Sequence, residues 1–155
     1  MLNLTVFGQR WIEWAKDKMK GGGEIEDYGC LLCCSASVSK FLGKDTNPKL
    51  LNKQDIYNGK SNIIVWGKLS KALGVKSVVR YGSPYLHTYN NQAVLNSINK
   101  GLPVFVAVNA SAIGGSKKTQ HWVVFIGDKK SIDPWTGSVV PTSKWSPEGY
   151  ALINK

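Results

Sequence analysis

Cys30 is the residue of this chain best placed to act as a nucleophile. It lies where a glycine-flanked loop is predicted to become an apolar helix over residues 30–42, which Gly43 ends. The start of a helix carries partial positive charge and favours a thiolate, and Gly29 allows the backbone to turn sharply just before it. Cys33 and Cys34 lie one turn further along, where a cysteine usually serves as a small hydrophobic residue. Cys30 is therefore the candidate nucleophile, and the other two cysteines are expected in the core.

A thiolate nucleophile needs a base beside it, and the chain has two histidines. His121 opens the apolar run 121–127 directly after a polar loop, so it is predicted to face a cleft at the mouth of a buried strand. His87 lies in a tyrosine-rich loop, where a surface or packing role is expected. An imidazole base also needs a partner on its second nitrogen. Asp133, which follows a tight turn on the next predicted strand, is the candidate for that partner.

The three cysteines lie within five residues of one another and do not form a disulfide framework. Bridges between positions this close are geometrically disfavoured, and an odd number leaves one thiol free. Cys30 and Cys33 form a CxxC pair, but no second pair of cysteines or histidines completes a zinc site. The sequence therefore predicts no metal and no other cofactor.

Helices are expected in the first two thirds of the chain and strands in the last third. Gly and Pro positions and apolar periodicity predict helices over 30–42, 47–59, 65–73 and 90–99, and strands over 76–81, 103–108, 121–126, 131–133 and 150–153. Residues 9–20 are expected to form a short helix or an irregular packed segment. The pattern predicts an α+β fold with an antiparallel sheet, in a single domain spanning residues 1–155.

Composition narrows the possible partners. The 155 residues are 43% hydrophobic with a formal net charge of +10, so a folded chain drawn to polyanions is expected. The lysines are scattered and no arginine-rich arm is present, which argues against specific nucleic-acid binding. A basic surface that only keeps the protein soluble is an equal alternative to a functional basic face. No apolar run approaches the roughly 20 residues of a membrane span, and no ordinary secretory signal is visible at the start.

Five blocks of the sequence together resemble the bacteriocin-processing, double-glycine leader peptidase-like group of papain-like cysteine peptidases. Residues 29–43 (GCLLCCSASVSKFLG) are similar to the nucleophile helix of that group. Residues 121–127 (HWVVFIG) and 132–137 (IDPWTG) are similar to its histidine strand and its Asp-Pro-x-x-Gly turn. Residues 9–14 (QRWIEW) resemble the opening of long-loop members that are frequent in bacteriophage tail and lysis proteins, and residues 101–104 (GLPV) resemble the strand before the histidine loop.

The resemblance implies a papain-like α+β fold with N-terminal helices packed on an antiparallel sheet, and a Cys30–His121–Asp133 triad that hydrolyses amides. It assigns the oxyanion role to Gln9, which matches the opening of the long-loop members. The position six residues before the nucleophile, where papain-like enzymes often have glutamine, is here Glu24, whose carboxylate would repel an oxyanion. A second departure is that leucines follow Cys30 where many relatives have glycine.

The phage-like blocks imply an endolysin that cuts the peptide part of bacterial peptidoglycan. Its expected locations are the host cytoplasm before lysis, then the cell wall, or the virion. Possible partners are the peptide or peptidoglycan substrate and an anionic cell-wall polymer. Two alternatives remain open from sequence: a non-enzymatic basic binding or phage structural module that keeps the fold, and acyl transfer by the same triad. Trp122, Trp135 and Trp145 are candidates for lining a substrate groove, although core packing is expected for each singly.

Overall fold

The computed structural model describes residues 1–82, 88–116 and 119–155. These residues form a six-stranded antiparallel sheet with helices on both of its faces. The helices are α1 (Ile25–Tyr28), α2 (Cys30–Phe41), α3 (Pro48–Leu51), α4 (Trp66–Leu73) and α5 (Asn91–Asn99). The strands are β1 (Ser77–Tyr81), β2 (Val104–Asn109), β3 (Gln120–Gly127), β4 (Lys130–Asp133), β5 (Ser138–Pro141) and β6 (Pro147–Asn154). The predicted combination of helices and an antiparallel sheet is confirmed.

The strand order is β1-β6-β2-β3-β4-β5, with β2 and β3 in the middle of the sheet. Alternate side chains of β2 and β3 point to opposite faces, so both strands can be apolar throughout. Phe105, Ala107, Val124 and Ile126 join the larger core, which also contains α2 and α4. On the opposite face a smaller core contains Val94 of α5, together with residues of the central strands and of the β5–β6 region. Burial on both faces explains the unbroken apolar runs of the sequence.

The hairpin between β3 and β4 determines where Asp133 lies. Its turn residues Asp128 and Lys129 both have positive φ angles, 51° and 55°, the backbone that a tight two-residue hairpin requires. The resulting register pairs Val124 with Ile132, which places Asp133 opposite Val123. His121 lies two residues from Val123, on the same face of β3. The turn thus brings the carboxylate and the imidazole diagonally together.

Helix α2 is enclosed on more sides than the sequence predicted. Leu32, Cys33, Cys34, Ala36 and Val38 are fully buried, and the helix packs on β3. The apolar stripe expected on this helix does face the larger core: Cys34 and Val38 belong to the core, and the partly buried Leu31, Phe41 and Leu42 pack against it. The sheet covers one side of α2. Its other sides are covered by the segment that precedes it and by α3 and α4, so a single apolar stripe underestimates the buried surface of the helix.

Several element boundaries differ from those expected. The helix predicted over 47–59 is a single turn, Pro48–Leu51, capped by the side chain of Asn47. Strand β6 begins at Pro147 rather than at residue 150, which leaves the proline at the first strand position, where it is tolerated. The sequence did not predict α1 or β5. Among the described residues, no helix has both the length and the apolar character needed to cross a lipid bilayer.

Candidate active site

Cys30 is the first residue of α2 and is separated from α1 by Gly29 alone. The N–H of Gly29 donates to the carbonyl oxygen of Ile25 at 2.8 Å, so the two helices turn tightly into each other. A Cβ atom on residue 29 would lie 2.5 Å from that same oxygen, a contact that no side chain tolerates. Glycine is therefore required here, as predicted, although its reason is the close approach to α1. The thiol of Cys30 remains partly exposed at the resulting corner.

His121 and Asp133 lie together beside this thiol. His121 Nε2 is 2.8 Å from Asp133 Oδ1, and the thiol of Cys30 lies close enough to the imidazole for each group to shift the pKa of the other. Since Nε2 is engaged by the carboxylate, Nδ1 is the nitrogen left for the thiol. The structure therefore brings Cys30, His121 and Asp133 together in one site. His87, the other histidine, lies outside the described residues.

The carboxylate of Asp133 is completely buried but fully hydrogen-bonded. Its Oδ1 also accepts from the backbone N–H of Trp135 at 3.0 Å, and its Oδ2 accepts from Thr136 Oγ1 at 3.1 Å and from Lys144 Nζ at 3.2 Å. The N–H of Gly137 closes the turn on the Asp133 carbonyl oxygen. Four donors thus replace the water that burial removes, so the side chain remains charged in the interior.

These contacts shift the pKa values of all three groups toward a charged pair. For Cys30, burial raises the pKa, but the hydrogen bond and charge of His121 and the N–H groups of Trp122 and Leu31 lower it below the ordinary thiol value. For His121, burial lowers the pKa, whereas Asp133 and Cys30 raise it to about 9. For Asp133, burial raises the pKa and His121 lowers it, with a net fall. At neutral pH this favours thiolate and imidazolium.

Cys33 and Cys34 are buried in the core, which confirms the expectation for both. Burial raises the pKa of each thiol well above its usual value, and the Cys34 thiol donates to the Trp122 carbonyl oxygen at 3.3 Å. In the described part of the chain, the residues close enough together to hold a metal ion are Glu24, Glu26 and Asp27, and no cysteine is among them.

Gln9 lies beside Cys30, although only 1% of its surface is exposed. Its Nε2 donates to the carbonyl oxygen of Glu26 at 2.9 Å, which fixes the orientation of the amide because that oxygen can only accept. One proton of Nε2 remains available to a second acceptor. Glu24, by contrast, is held in ion pairs with Lys16 and Lys18 and lines neither cavity beside Cys30.

Two cavities meet at Cys30. The first, of about 480 Å³, lies on the His121 side and is lined by Gln9, Trp135 and residues of the 110–120 loop. The second, of about 230 Å³, lies on the Leu31 side and is lined by Trp66, Arg80 and Trp122 among others. An extended chain crossing the thiol would therefore contact one cavity on each side of it.

The three tryptophans singled out in the sequence take different positions. Trp135 lines the cavity on the His121 side, in agreement with a groove role. Trp122 lines the cavity on the Leu31 side but is also buried in the larger core, as expected for core packing. The guanidinium of Arg10 lies 4.8 Å from the ring centre of Trp135. Trp145 belongs to the smaller core, and its ring lies 5.7 Å from the His121 ring. Trp145 therefore holds the imidazole in place from behind rather than lining a groove.

Sequence reasoning missed Thr136, Lys144 and Arg80. An aspartate that begins a turn commonly accepts from the N–H two residues later, so the turn itself signalled polar donors around Asp133 and could have indicated Thr136. Lys144 lies 11 residues from Asp133 in a short 3₁₀ helix, and no local pattern indicates it. Arg80 lies 40 residues before its partner Gln120, which only the assembled sheet brings near.

Comparison with models of known protein families and with curated protein sequences finds no match. Among solved structures, the chain is similar to the crystal structure of a protein from Bacillus anthracis described as a C39-like peptidase. The two share 17% sequence identity with a TM-score of 0.55, and the similarity covers 99% of this chain and 98% of the other. The fold is thus that of a C39-like peptidase over nearly the whole chain, and at this identity the similarity extends to the fold alone.

The three cysteines are expected to differ sharply in reactivity. Iodoacetamide at neutral pH should alkylate Cys30 at least about 100-fold faster than Cys33 or Cys34, because Cys30 alone combines access, a helix start and a bonded imidazole. Peptide mapping of a short labelling time course measures all three rates. Equal labelling, or labelling of Cys34 first, contradicts the assignment of Cys30.

Cys30 reactivity is also expected to depend on pH through His121. The wild-type thiolate should form below the roughly 8.5 of a free thiol, and His121→Ala should move its formation to higher pH because burial remains while the imidazolium is lost. Any turnover should fall above about pH 9, where His121 loses the proton that the leaving amine needs. Alkylation rates from pH 5 to 10 test the shift, with His87→Ala as the matched histidine control. An unshifted His121→Ala profile would show that the two side chains are not coupled.

Proposed function

We propose that this protein is a papain-like cysteine peptidase that cleaves amide bonds with a Cys30–His121–Asp133 triad. The observation that carries the proposal is a partly exposed thiol at a helix start, next to an imidazole that a buried carboxylate holds by a 2.8 Å hydrogen bond. The shared fold with a protein described as a C39-like peptidase supports it. A binding module that merely kept this fold would have no need of a thiol beside an imidazole that a carboxylate orients.

The first half of the reaction forms a thioester. The Cys30 thiolate attacks the carbonyl carbon, a C–S bond forms, and the carbonyl electrons move to oxygen. The N–H of Cys30, one of the unpaired donors at a helix start, and Gln9 Nε2 stabilise this oxyanion. When the C–N bond breaks, His121 gives its proton to the departing amine.

The second half returns the enzyme to its starting state. His121, now neutral, takes a proton from water, and the resulting hydroxide attacks the thioester. The C–S bond breaks, the acid product leaves and the thiolate re-forms beside the imidazolium. Asp133 holds the imidazole orientation throughout, because its Oδ1 engages Nε2 and leaves Nδ1 toward the thiol. Transfer of the acyl group to an amine instead of water would use the same groups.

We further propose that the substrate is the peptide part of bacterial peptidoglycan and that the protein is a phage-type endolysin. The protein would act at the cell wall. It would reach the wall from the host cytoplasm at lysis, or it would be carried there in the virion. The support is the likeness of residues 9–14 and 29–43 to phage-encoded members and the net charge of +10, which suits an anionic wall polymer. The two cavities at Cys30 offer room for peptide on both sides of the cleaved bond.

Purified peptidoglycan is expected to be cleaved with release of new amino groups and no reducing sugar. Cys30→Ala should bind the same wall without cutting it, and activity should fall with salt, because charge at the surface is screened within about 10 Å at 0.1 M. Turbidity loss and fragment masses on walls from several bacteria measure this. Cleavage of generic or double-glycine peptides, with no wall cleaved, would reject the wall substrate and retain the peptidase. Wall binding without cleavage of any amide would support the non-enzymatic module.

Removal of the Gln9 amide is expected to lower kcat by about 100-fold or more if Nε2 stabilises the oxyanion. Gln9→Met retains the volume of this buried side chain without its donor, and Gln9→Ala removes both. Glu24→Ala is the matched control and should cost little, because Glu24 faces lysines outside the cavities. Kinetics with thermal unfolding of each variant separate chemistry from stability. Unchanged kcat in Gln9→Met would move the role to another donor or to the backbone alone.

A further inference from the structure

Arg80 lies in the cavity on the Leu31 side of Cys30. It is the fourth residue of β1 and lies opposite Ala151 of β6. Val78, two residues earlier and on the same face, is part of the larger core beside α2 and α4. The Arg80 side chain therefore extends over the same face of the sheet toward β3 and the start of α2.

The guanidinium of Arg80 is held in place by two residues of β3. It lies 5.2 Å from the ring centre of Trp122, and its Nη2 donates to Gln120 Oε1 at 2.9 Å. Because a guanidinium can only donate, the Gln120 amide must turn its oxygen toward Arg80 and its Nε2 away. Stacking and hydrogen bonding together fix the orientation of both side chains.

Two buried donors at this junction have no acceptor. Arg80 Nε and Gln120 Nε2 are both inaccessible to solvent and without a hydrogen-bond partner among the described residues. A buried donor without a partner costs free energy, and a second such donor on the adjoining side chain is unusual. Gln120 lines the cavity on the His121 side, so of these two residues it is Arg80 that lines the cavity on the Leu31 side.

The positive charge of Arg80 also lacks a counter-ion. Within residues 1–82, 88–116 and 119–155, no carboxylate forms an ion pair with it. Burial lowers the pKa of Arg80 without any opposing carboxylate. A partly desolvated guanidinium without a counter-ion is the group that proteins use to bind carboxylates.

We propose that Arg80, held by Trp122 and Gln120, binds a carboxylate of the substrate next to the amide that Cys30 attacks. This inference rests on the proposed peptidase function and adds its specificity: the residue in the 230 Å³ cavity carries a free carboxylate, from an acidic side chain or from a chain end. Trp66 and Ile63, which line the same cavity, contact the apolar part of that residue. Arg80 is a specificity residue and takes no part in bond breaking.

Affinity labels test the pocket without needing any substrate. Bromoacetyl derivatives of glycine, β-alanine and 4-aminobutyrate react with Cys30 by displacement of bromide by the thiolate, and each is compared with its own carboxamide. The two members of each pair differ only in the carboxylate, and the three spacers place it at increasing distance from the sulfur. At least one acid should label Cys30 about 10-fold faster than its amide, since a charge-assisted hydrogen bond holds it.

The variants assign that preference to a residue. Arg80→Met retains the stem that packs on Trp122 and removes every donor, so the acid-to-amide rate ratio should fall about 10-fold while labelling by the amide stays near wild type. Lys53→Met is the control, because it removes the same charge from an exposed residue that lines neither cavity. Unfolding curves verify that Arg80→Met is folded. No acid preference in the wild type, or a preference unchanged in Arg80→Met, overturns the proposal.

Peptides separate the two sources of carboxylate. A peptide with glutamate before the cleaved bond is compared with its glutamine analogue, and a peptide with a free C-terminal acid with its C-terminal amide. A preference for one acid that Arg80→Met abolishes identifies the source. If neither peptide nor wall is cleaved while the label preference depends on Arg80, the peptidase proposal fails and the carboxylate pocket remains. If peptides are cleaved with equal rates for acids and amides, the pocket fails and the peptidase remains.

Discussion

The buried carboxylate of Asp133 is the constraint on which the site depends. A charge without water in the interior is costly, so the chain must bring donors to it from wherever it can. They come from β3, from the turn after β4 and from the 3₁₀ helix before β6. Solvation of one carboxylate therefore fixes the relative positions of three segments. Its negative charge in turn keeps His121 protonated, and the imidazolium keeps Cys30 ionised.

The two layers of the fold contribute different parts of the site. Helix α2 provides Cys30 and the N-terminal segment before α1 provides Gln9, while the sheet provides His121 and Asp133. Packing of α2 on β3, in which Cys34 donates to the Trp122 carbonyl oxygen, holds the Cys30 thiol beside the imidazole. The buried cysteines thus help to position Cys30 by packing. Their raised pKa values keep their own thiols protonated and unreactive.

The sequence predicted the parts of the fold that local pattern controls. A glycine corner determines the start of α2, and unbroken apolar runs determine the central strands β2 and β3. A short polar sequence determines the β3–β4 turn. It did not predict β5, whose side chains are largely exposed and which exists because β4 offers an open edge. It also could not show that Lys144 reaches Asp133 or that Arg80 reaches Gln120. Those pairs depend on sheet order, which no local spacing records.

The positive charges of this chain form two groups, exposed lysines and a partly buried arginine, which would act on a partner over different distances. Most of the described lysines are exposed, so their combined field would attract an anionic polymer from a distance and would be weakened by salt. Arg80 is partly desolvated and held by Trp122 and Gln120, so the proposed pairing with one carboxylate would be strong, oriented and less screened. Salt should then reduce the attraction of the protein to a wall while leaving the choice of cleaved bond largely intact. A single arginine beside the thiol, rather than the net charge, would decide which peptide is cut.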